Sequence, residues 1–193
     1  MSKKTASSCE RNQQVILDQL TRLLSDRQGV LEIGSGTGQH AVYFAPHLAH
    51  LTWHTSDTVD NHASIEAWMA ECPSENIRSP FVFLFGEQAW PEVEIDAIFT
   101  ANTTHIMPKE AAKLMMEMIA VNLPKGGLFC QYGPFNVDGE YTSEGNRDFD
   151  LHLEKEGCGG IRNISELTVW GKGLQLIEKI PMPANNFLLV WQR

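Results

Sequence analysis

The stretch Val30-Leu31-Glu32-Ile33-Gly34-Ser35-Gly36-Thr37-Gly38-Gln39-His40 constrains this chain more than any other. An apolar run ends in an acid and a glycine-rich turn, and a helical pattern follows. That order predicts strand, tight loop and helix, the unit by which an α/β sheet presents backbone N–H groups to a ligand. Gly34 and Gly36 permit positive φ and remove Cβ where a ligand approaches the backbone. The loop then feeds a helix N-terminus, whose dipole and free amides favour oxygen-rich groups.

Glycine spacing separates cofactor classes. Dinucleotide-binding turns read G-x-G-x-x-G or G-x-G-x-x-A. Here the glycines fall at 34, 36 and 38, and Gln39 takes the place of the third. Glu32, at the strand end, repels a pyrophosphate and accepts hydrogen bonds from an ammonium or amide donor. An NAD-dependent oxidoreductase is therefore disfavoured. The plainest alternative is a structural turn that binds nothing.

The chain has 193 residues, which fits one domain over 1–193 with a substantial core. Its net charge of -9, with no basic cluster beyond Lys3-Lys4, argues against a groove that tracks phosphates, so no nucleic-acid partner is expected. No run reaches the roughly 18 apolar residues of a membrane helix, and the N-terminus lacks the apolar core of a signal peptide. Cys9, Cys72, Cys130 and Cys158 lie far apart with no C-x-x-C pair, which fits reduced thiols in the cytoplasm and no metal site.

Along the chain, Val15, Ile16, Leu20, Leu23 and Leu24 predict a helix over about 10–25, with Ser7 and Glu10 as a capping box. Residues 29–34 and 51–57 predict strands, with a helix at 37–48 between them. Asp57 falls 19 residues after Gly38, where a strand-end carboxylate accepts the ribose hydroxyls of an adenosine. An N-cap is its structural alternative, although Asp60 or Asn61 is better placed to cap the helix expected over 61–72. Residues 81–85 read as a buried strand and 94–102 as the next. That strand ends in Asn102-Thr103-Thr104-His105, at the ligand-facing end of a parallel sheet. His105 can act as general base or orient a nucleophile, or serve structure alone.

After a helix at 111–122, residues 128–133 form the fifth strand and end at Tyr132-Gly133. Residues 134–165 are longer than a crossover needs and read as a substrate cover with a short helix at about 143–156, followed by a further helix at 164–171. Residues 174–181 and 186–192, with no helix between them, read as an antiparallel pair. Five strands alternating with helices and closed by a hairpin give a seven-stranded, mostly parallel α/β sheet with helices on both faces. A dehydrogenase sheet lacks that hairpin.

The segment Glu32-x-Gly34-x-Gly36-x-Gly38 resembles the first motif of the class I, Rossmann-like S-adenosylmethionine (SAM) methyltransferases. The whole chain resembles an uncharacterised family of such methyltransferase-like proteins. The shared segments are Cys9-Glu10-Arg11-Asn12, 31–40, Trp53, Ser56-Asp57, Asn102 with His105-Ile106, and Tyr132-Gly133-Pro134-Phe135. Thr142-Ser143, Asn146 with Phe149-Asp150, Gly160-Ile161-Arg162 and Met182-Pro183-Ala184-Asn185-Asn186 follow in the same order.

This resemblance implies a fold and a cofactor, SAM as methyl donor with S-adenosylhomocysteine (SAH) as product, and no substrate; methyl transfer to a small molecule or an unidentified acceptor, with no metal, is the first expectation. The resemblance assigns Glu32, Gly34, Ser35, Gly36, Gly38, Asp57 and Asn102 to the cofactor, and the loop after the third strand to the adenine. An acid common after that strand is replaced by Phe85, which leaves Glu87 as the candidate. Asn102 and His105 become the catalytic candidates, and Arg11, Asn12, Tyr132, Asn146 and Asn185 face the acceptor. A non-catalytic SAM- or SAH-binding module acting through a protein partner is the alternative.

Overall fold

The structure is a computed structural model describing residues 3–193. The chain divides into two compact units, one running to Phe99 and one from Thr100 to Arg193. The first unit opens with α1 (Ser7–Leu23), followed by β1 (Gly29–Ile33), α2 (Gln39–His47), β2 (Thr52–Asp57), α3 (Val59–Glu71) and β3 (Ile77–Val82). Next comes β4 (Ala97–Ala101), whose last two residues belong to the second unit. The second unit continues with α4 (Lys109–Asn122), β5 (Leu128–Gly133), β6 (Phe135–Asn136), α5 (Glu144–Lys155) and β7 (Arg162–Asn163). It ends with α6 (Ile164–Trp170), β8 (Gln175–Met182) and β9 (Asn186–Gln192).

The main sheet has seven strands in the order β3-β2-β1-β4-β5-β9-β8. β1 runs parallel to both β2 and β4, and every one of its residues is buried. A parallel strand covered on both faces needs a continuous apolar run, which is why Gly29–Ile33 carries one interruption, Glu32. Behind β1, the rings of Phe44, Trp53 and Phe99 meet at centroid distances of 5.5–5.9 Å. The hairpin β8–β9 is antiparallel and joins β5 antiparallel through β9, as the absence of an intervening helix predicts.

Several boundaries move from the sequence reading. β3 begins at Ile77, carries Pro80 and is largely exposed or half-buried, so the buried strand expected at 81–85 is wrong. Among the described residues β3 pairs only with β2, and an edge strand tolerates both proline and solvent. The aromatic run leaves the sheet at Val82 and packs on itself: Phe83 meets Phe85 at 4.8 Å and Trp90 at 5.7 Å.

Helix α1 starts with Ala6 as N-cap and makes no side-chain cap. The expected Ser7–Glu10 capping box is therefore absent: Ser7 lies inside the first turn, where its Oγ accepts from Arg11. α3 likewise starts earlier than expected, with Thr58 as N-cap in place of Asp60 or Asn61.

Residues 134–165 hold α5 and a short parallel ribbon of β6 and β7. Ser143 caps α5 by accepting from the Asn146 amide. Asn163 and Glu166 form a capping box that starts α6. Among the described residues, no helix is long and apolar enough to cross a membrane.

Candidate functional site

The first unit gathers its candidates at the carboxyl ends of β1 and β2. Glu32 is the acid inside a fully buried strand, and only 2% of its surface is exposed. One oxygen accepts from Trp53 Nε1 at 3.1 Å. Burial raises its pKa to about 7, against the opposing pull of the Trp53 and Ser35 hydrogen bonds. This carboxyl therefore sits near its titration point at neutral pH.

The glycine loop turns directly above it. Gly34, Gly36 and Gly38 take φ of 70°, 58° and 95°, a left-handed backbone that side chains disfavour. At Gly38 the reason is packing, since a Cβ would come 2.8 Å from the Ile65 backbone. At Gly36 a Cβ would meet only the Gly34 carbonyl, at 4.0 Å, so that glycine borders open space. The Gly36 amide donates to Asp57 Oδ2 at 2.6 Å, and Asp57 Oδ1 accepts from the Thr58 amide and Asn61 Nδ2. Ser35 Oγ accepts from the Ser56 amide at 3.2 Å and joins the loop to β2.

The N-terminal segment straps onto this loop. The Ala6 amide donates to Gln39 Oε1 at 2.6 Å, and His40 Nε2 lies 2.7 Å from Asn12 Oδ1. A side-chain carbonyl only accepts, so Nε2 carries the proton and Nδ1 is left as an acceptor, 4.0 Å from Cys9 Sγ. Burial lowers the His40 pKa to about 4 and raises that of Cys9, with the Glu32 charge adding to the latter. Asn12 thus serves as a tie to α2, while Arg11 is exposed and bonded to Ser7. Glu87 is exposed in the loop after β3. The sequence reading gave His40 no role; its place directly after the glycine loop was the available signal.

The second unit centres on the loop after β4. Asn102 adopts φ of 56°, a conformation asparagine tolerates better than most residues and one that collects at functional sites. Its amide donates to the Tyr132 carbonyl at 2.9 Å, and the Tyr132 side chain is buried. His105 is 5% exposed, and its ring meets Phe149 edge-on at 5.4 Å. Burial lowers its pKa to about 4, with the Asp150 charge pulling weakly the other way. A Cβ on Gly133 would lie 3.7 Å from His105 Nδ1 and 3.9 Å from Asn102 Oδ1, so β5 ends against both candidates.

A buried chain runs behind this loop: Trp191 Nε1 donates to Gln131 Oε1 at 3.0 Å, and Gln131 Nε2 donates to Thr104 Oγ1 at 2.8 Å. Gln131 reads in sequence as one polar residue in an apolar strand, and its positioning role was not foreseen. Asn146 commits both amide hydrogens, one to Thr142 Oγ1 and one to the carbonyl of Asn185 at the hairpin tip. Asp150 Oδ1 accepts from the Ile161 amide and Oδ2 from the Tyr141 hydroxyl, which anchors α5 to the following segment.

With this geometry in place, the chain can be set beside known proteins. Residues 3–193 match the profile of a family described as "Protein of unknown function (DUF938)". The chain belongs to that family. Among solved structures, human N-acetylserotonin methyltransferase in complex with SAM superposes with a TM-score of 0.81 at 14% identity. That match covers 96% of this chain and 52% of the human one. An O-methyltransferase family protein from Burkholderia thailandensis gives 0.79 at 16% identity, over 97% of this chain and 57% of that one.

A family 2 O-methyltransferase from Planctomyces limnophilus, complexed with apigenin, gives 0.75 at 15% identity, over 86% of this chain and 51% of that one. This DUF938 chain thus spans about half the length of the structures it matches. It has the class I methyltransferase fold: a seven-stranded, mostly parallel sheet with a C-terminal antiparallel hairpin.

Proposed function

We propose that this protein is a SAM-dependent methyltransferase acting on a small-molecule acceptor. The observation that carries the reading is the pairing of a buried strand-end carboxyl, Glu32, with a glycine loop fastened to Asp57. The first group suits the ammonium of a methionine moiety. The second suits a ribose hydroxyl, because Asp57 Oδ2 accepts a single bond and keeps a lone pair, while Oδ1 already accepts two. The open side of Gly36 is where a side chain would obstruct a ligand. Glu87 is the acid left to receive the adenine amino group.

SAM supplies an activated methyl group, so the protein has mainly to align the acceptor and exclude water. His105, neutral above about pH 4, is available to take the acceptor's proton, and the Asn102 side chain meets the same end of β5 as the His105 ring. Gln131 and Thr104 keep that loop in place. The solved neighbours bound to SAM and to apigenin support the donor and a small acceptor.

One observation favours a second reading, a SAM- or SAH-binding module without catalysis: His105 is a weak base, covered by Phe149. Calorimetry and thermal shift with SAM, SAH and NAD side by side test the proposal. Binding of SAM or SAH without NAD supports it. NAD binding alone, or no binding, overturns it. His105→Ala then separates the two readings: lost turnover with retained SAH binding supports catalysis.

A further inference from the structure

The segment after α5 carries a buried guanidinium with an unused donor. Arg162, on β7, is 7% exposed. Its Nη2 donates to the Gly159 carbonyl, but its Nε is buried and has no hydrogen-bond partner. It forms no ion pair among the described residues. The two acids that act on it electrostatically, Asp150 and Glu166, are engaged elsewhere. Asp150 holds the Ile161 amide and the Tyr141 hydroxyl, and Glu166 holds Lys109 Nζ at 2.9 Å and the Asn163 amide. A guanidinium does not shed its proton in a protein, so the charge persists. A buried donor without a partner costs its full desolvation, and each one in a folded protein calls for an explanation.

The position is not a remote one. The Gly160 amide donates to the His105 carbonyl at 3.0 Å, and the Gly159 amide to the Ile106 carbonyl at 3.4 Å. Segment 159–162 therefore runs beside the loop that carries His105. A Cβ on Gly159 would collide with both the Met107 carbonyl and Arg162 Nη2, so the guanidinium packs directly against that loop. Nε–H with a neighbouring Nη–H makes the two-pronged edge that matches a carboxylate or phosphate.

We propose that Arg162 binds an anionic oxygen group, carboxylate or phosphate, carried by the methyl acceptor. The identity of that anion as the acceptor rests on the methyltransferase reading. The acceptor is then an acid or a phosphorylated compound, despite the chain's net charge of -9. Burial also makes the guanidinium a weaker base than usual, in keeping with a charge that awaits an anion.

The test uses the full chain labelled with 15N. The Arg162 Nε–Hε resonance is assigned through its own backbone, so no variant has to fold. Sodium benzoate, sodium phosphate, neutral benzamide and sodium chloride at matched ionic strength are titrated separately. The expected result is a saturable shift of that resonance with benzoate or phosphate and none with benzamide or chloride. Whichever anion shifts it more strongly names the acceptor's group. Arg162→Lys, checked for folding by circular dichroism, is expected to lose the protection that benzoate or phosphate gives against thermal unfolding. No saturable shift with either anion, or an equal shift with benzamide, overturns the proposal. SAH calorimetry on the same sample reads the methyltransferase proposal separately. SAH binding without an anion response sinks only the Arg162 assignment. An anion response without SAH binding sinks the identification of the anion as a methyl acceptor's.

Discussion

The Gly36 amide donates to Asp57 Oδ2 at 2.6 Å, so the glycine loop on one strand is fastened to the last residue of the next. The same carboxylate holds the Thr58 amide and Asn61. One side chain thereby fixes both the loop and the start of α3.

Asp57→Ala is expected to weaken SAM and SAH binding by about 1–3 kcal/mol, the scale of hydrogen bonds to a charged group. Asp57→Asn, which keeps one acceptor, should lose less. Calorimetry on the two variants is the measurement, and unchanged affinity in both removes Asp57 from the site.

Glu32 makes the protein sensitive to pH in a stated direction. Its folded pKa, about 7, lies above the ordinary carboxyl value of 4.5. Between those values the unfolded chain has released a proton that the folded chain retains. Stability therefore falls as pH rises through this window and levels off above it. Glu32→Gln removes the effect, so the variant should gain on the wild type by up to about 3 kcal/mol between acid and pH 8. Urea melts at pH 4.5 and pH 8 measure it; equal differences at the two pH values contradict the assignment. A ligand ammonium needs the ionised form, so wild-type SAM affinity should tighten from pH 6 to pH 8.

His40 and His105 act in the opposite sense. Burial lowers both to about 4, below the usual 6.5. As pH falls below 6.5 the unfolded chain takes up protons that the folded chain refuses. Stability is lost progressively down to about pH 4, by up to about 3 kcal/mol for each ring. Ring Cε1–H resonances followed by NMR should show neither histidine titrating near 6.5. Phe149→Ala should move His105 upward and leave His40 in place, because Phe149 covers only the former.

Gly38→Ala should cost on the order of 1–3 kcal/mol from backbone strain alone, and more from its contact with the Ile65 backbone at 2.8 Å. Gly126→Ala, also at positive φ but with nothing within 4 Å, should cost strain only. Chemical denaturation of the two variants compares them, and equal losses would refute a packing role for Gly38.

Much of the fold was legible because its signals are local. The apolar run of β1 and the glycines after it declare a strand and a turn that neighbours need not specify. The hairpin β8–β9 declares itself by two runs with no room for a helix. Where the reading slipped, a neighbour decided. The aromatic run at 81–85 looks buried in sequence, but β3 is an edge strand and the rings pack on Trp90 outside the sheet. The Ser7–Glu10 capping box failed because the start of α1 is fixed in part by Ala6, held by Gln39 from another helix.

The sequence by itself determined the strand–loop–helix unit, the acid placed before it, the acid ending β2 and the order of elements around them. Those follow from side-chain periodicity and glycine stereochemistry, which act over a few residues. Only the tertiary structure decided that Glu32 titrates near neutrality, that His105 stays neutral behind Phe149, and that Arg162 Nε is buried without a hydrogen-bond partner. Each of these depends on which groups exclude water from a charge, and desolvation is set by neighbours distant in sequence.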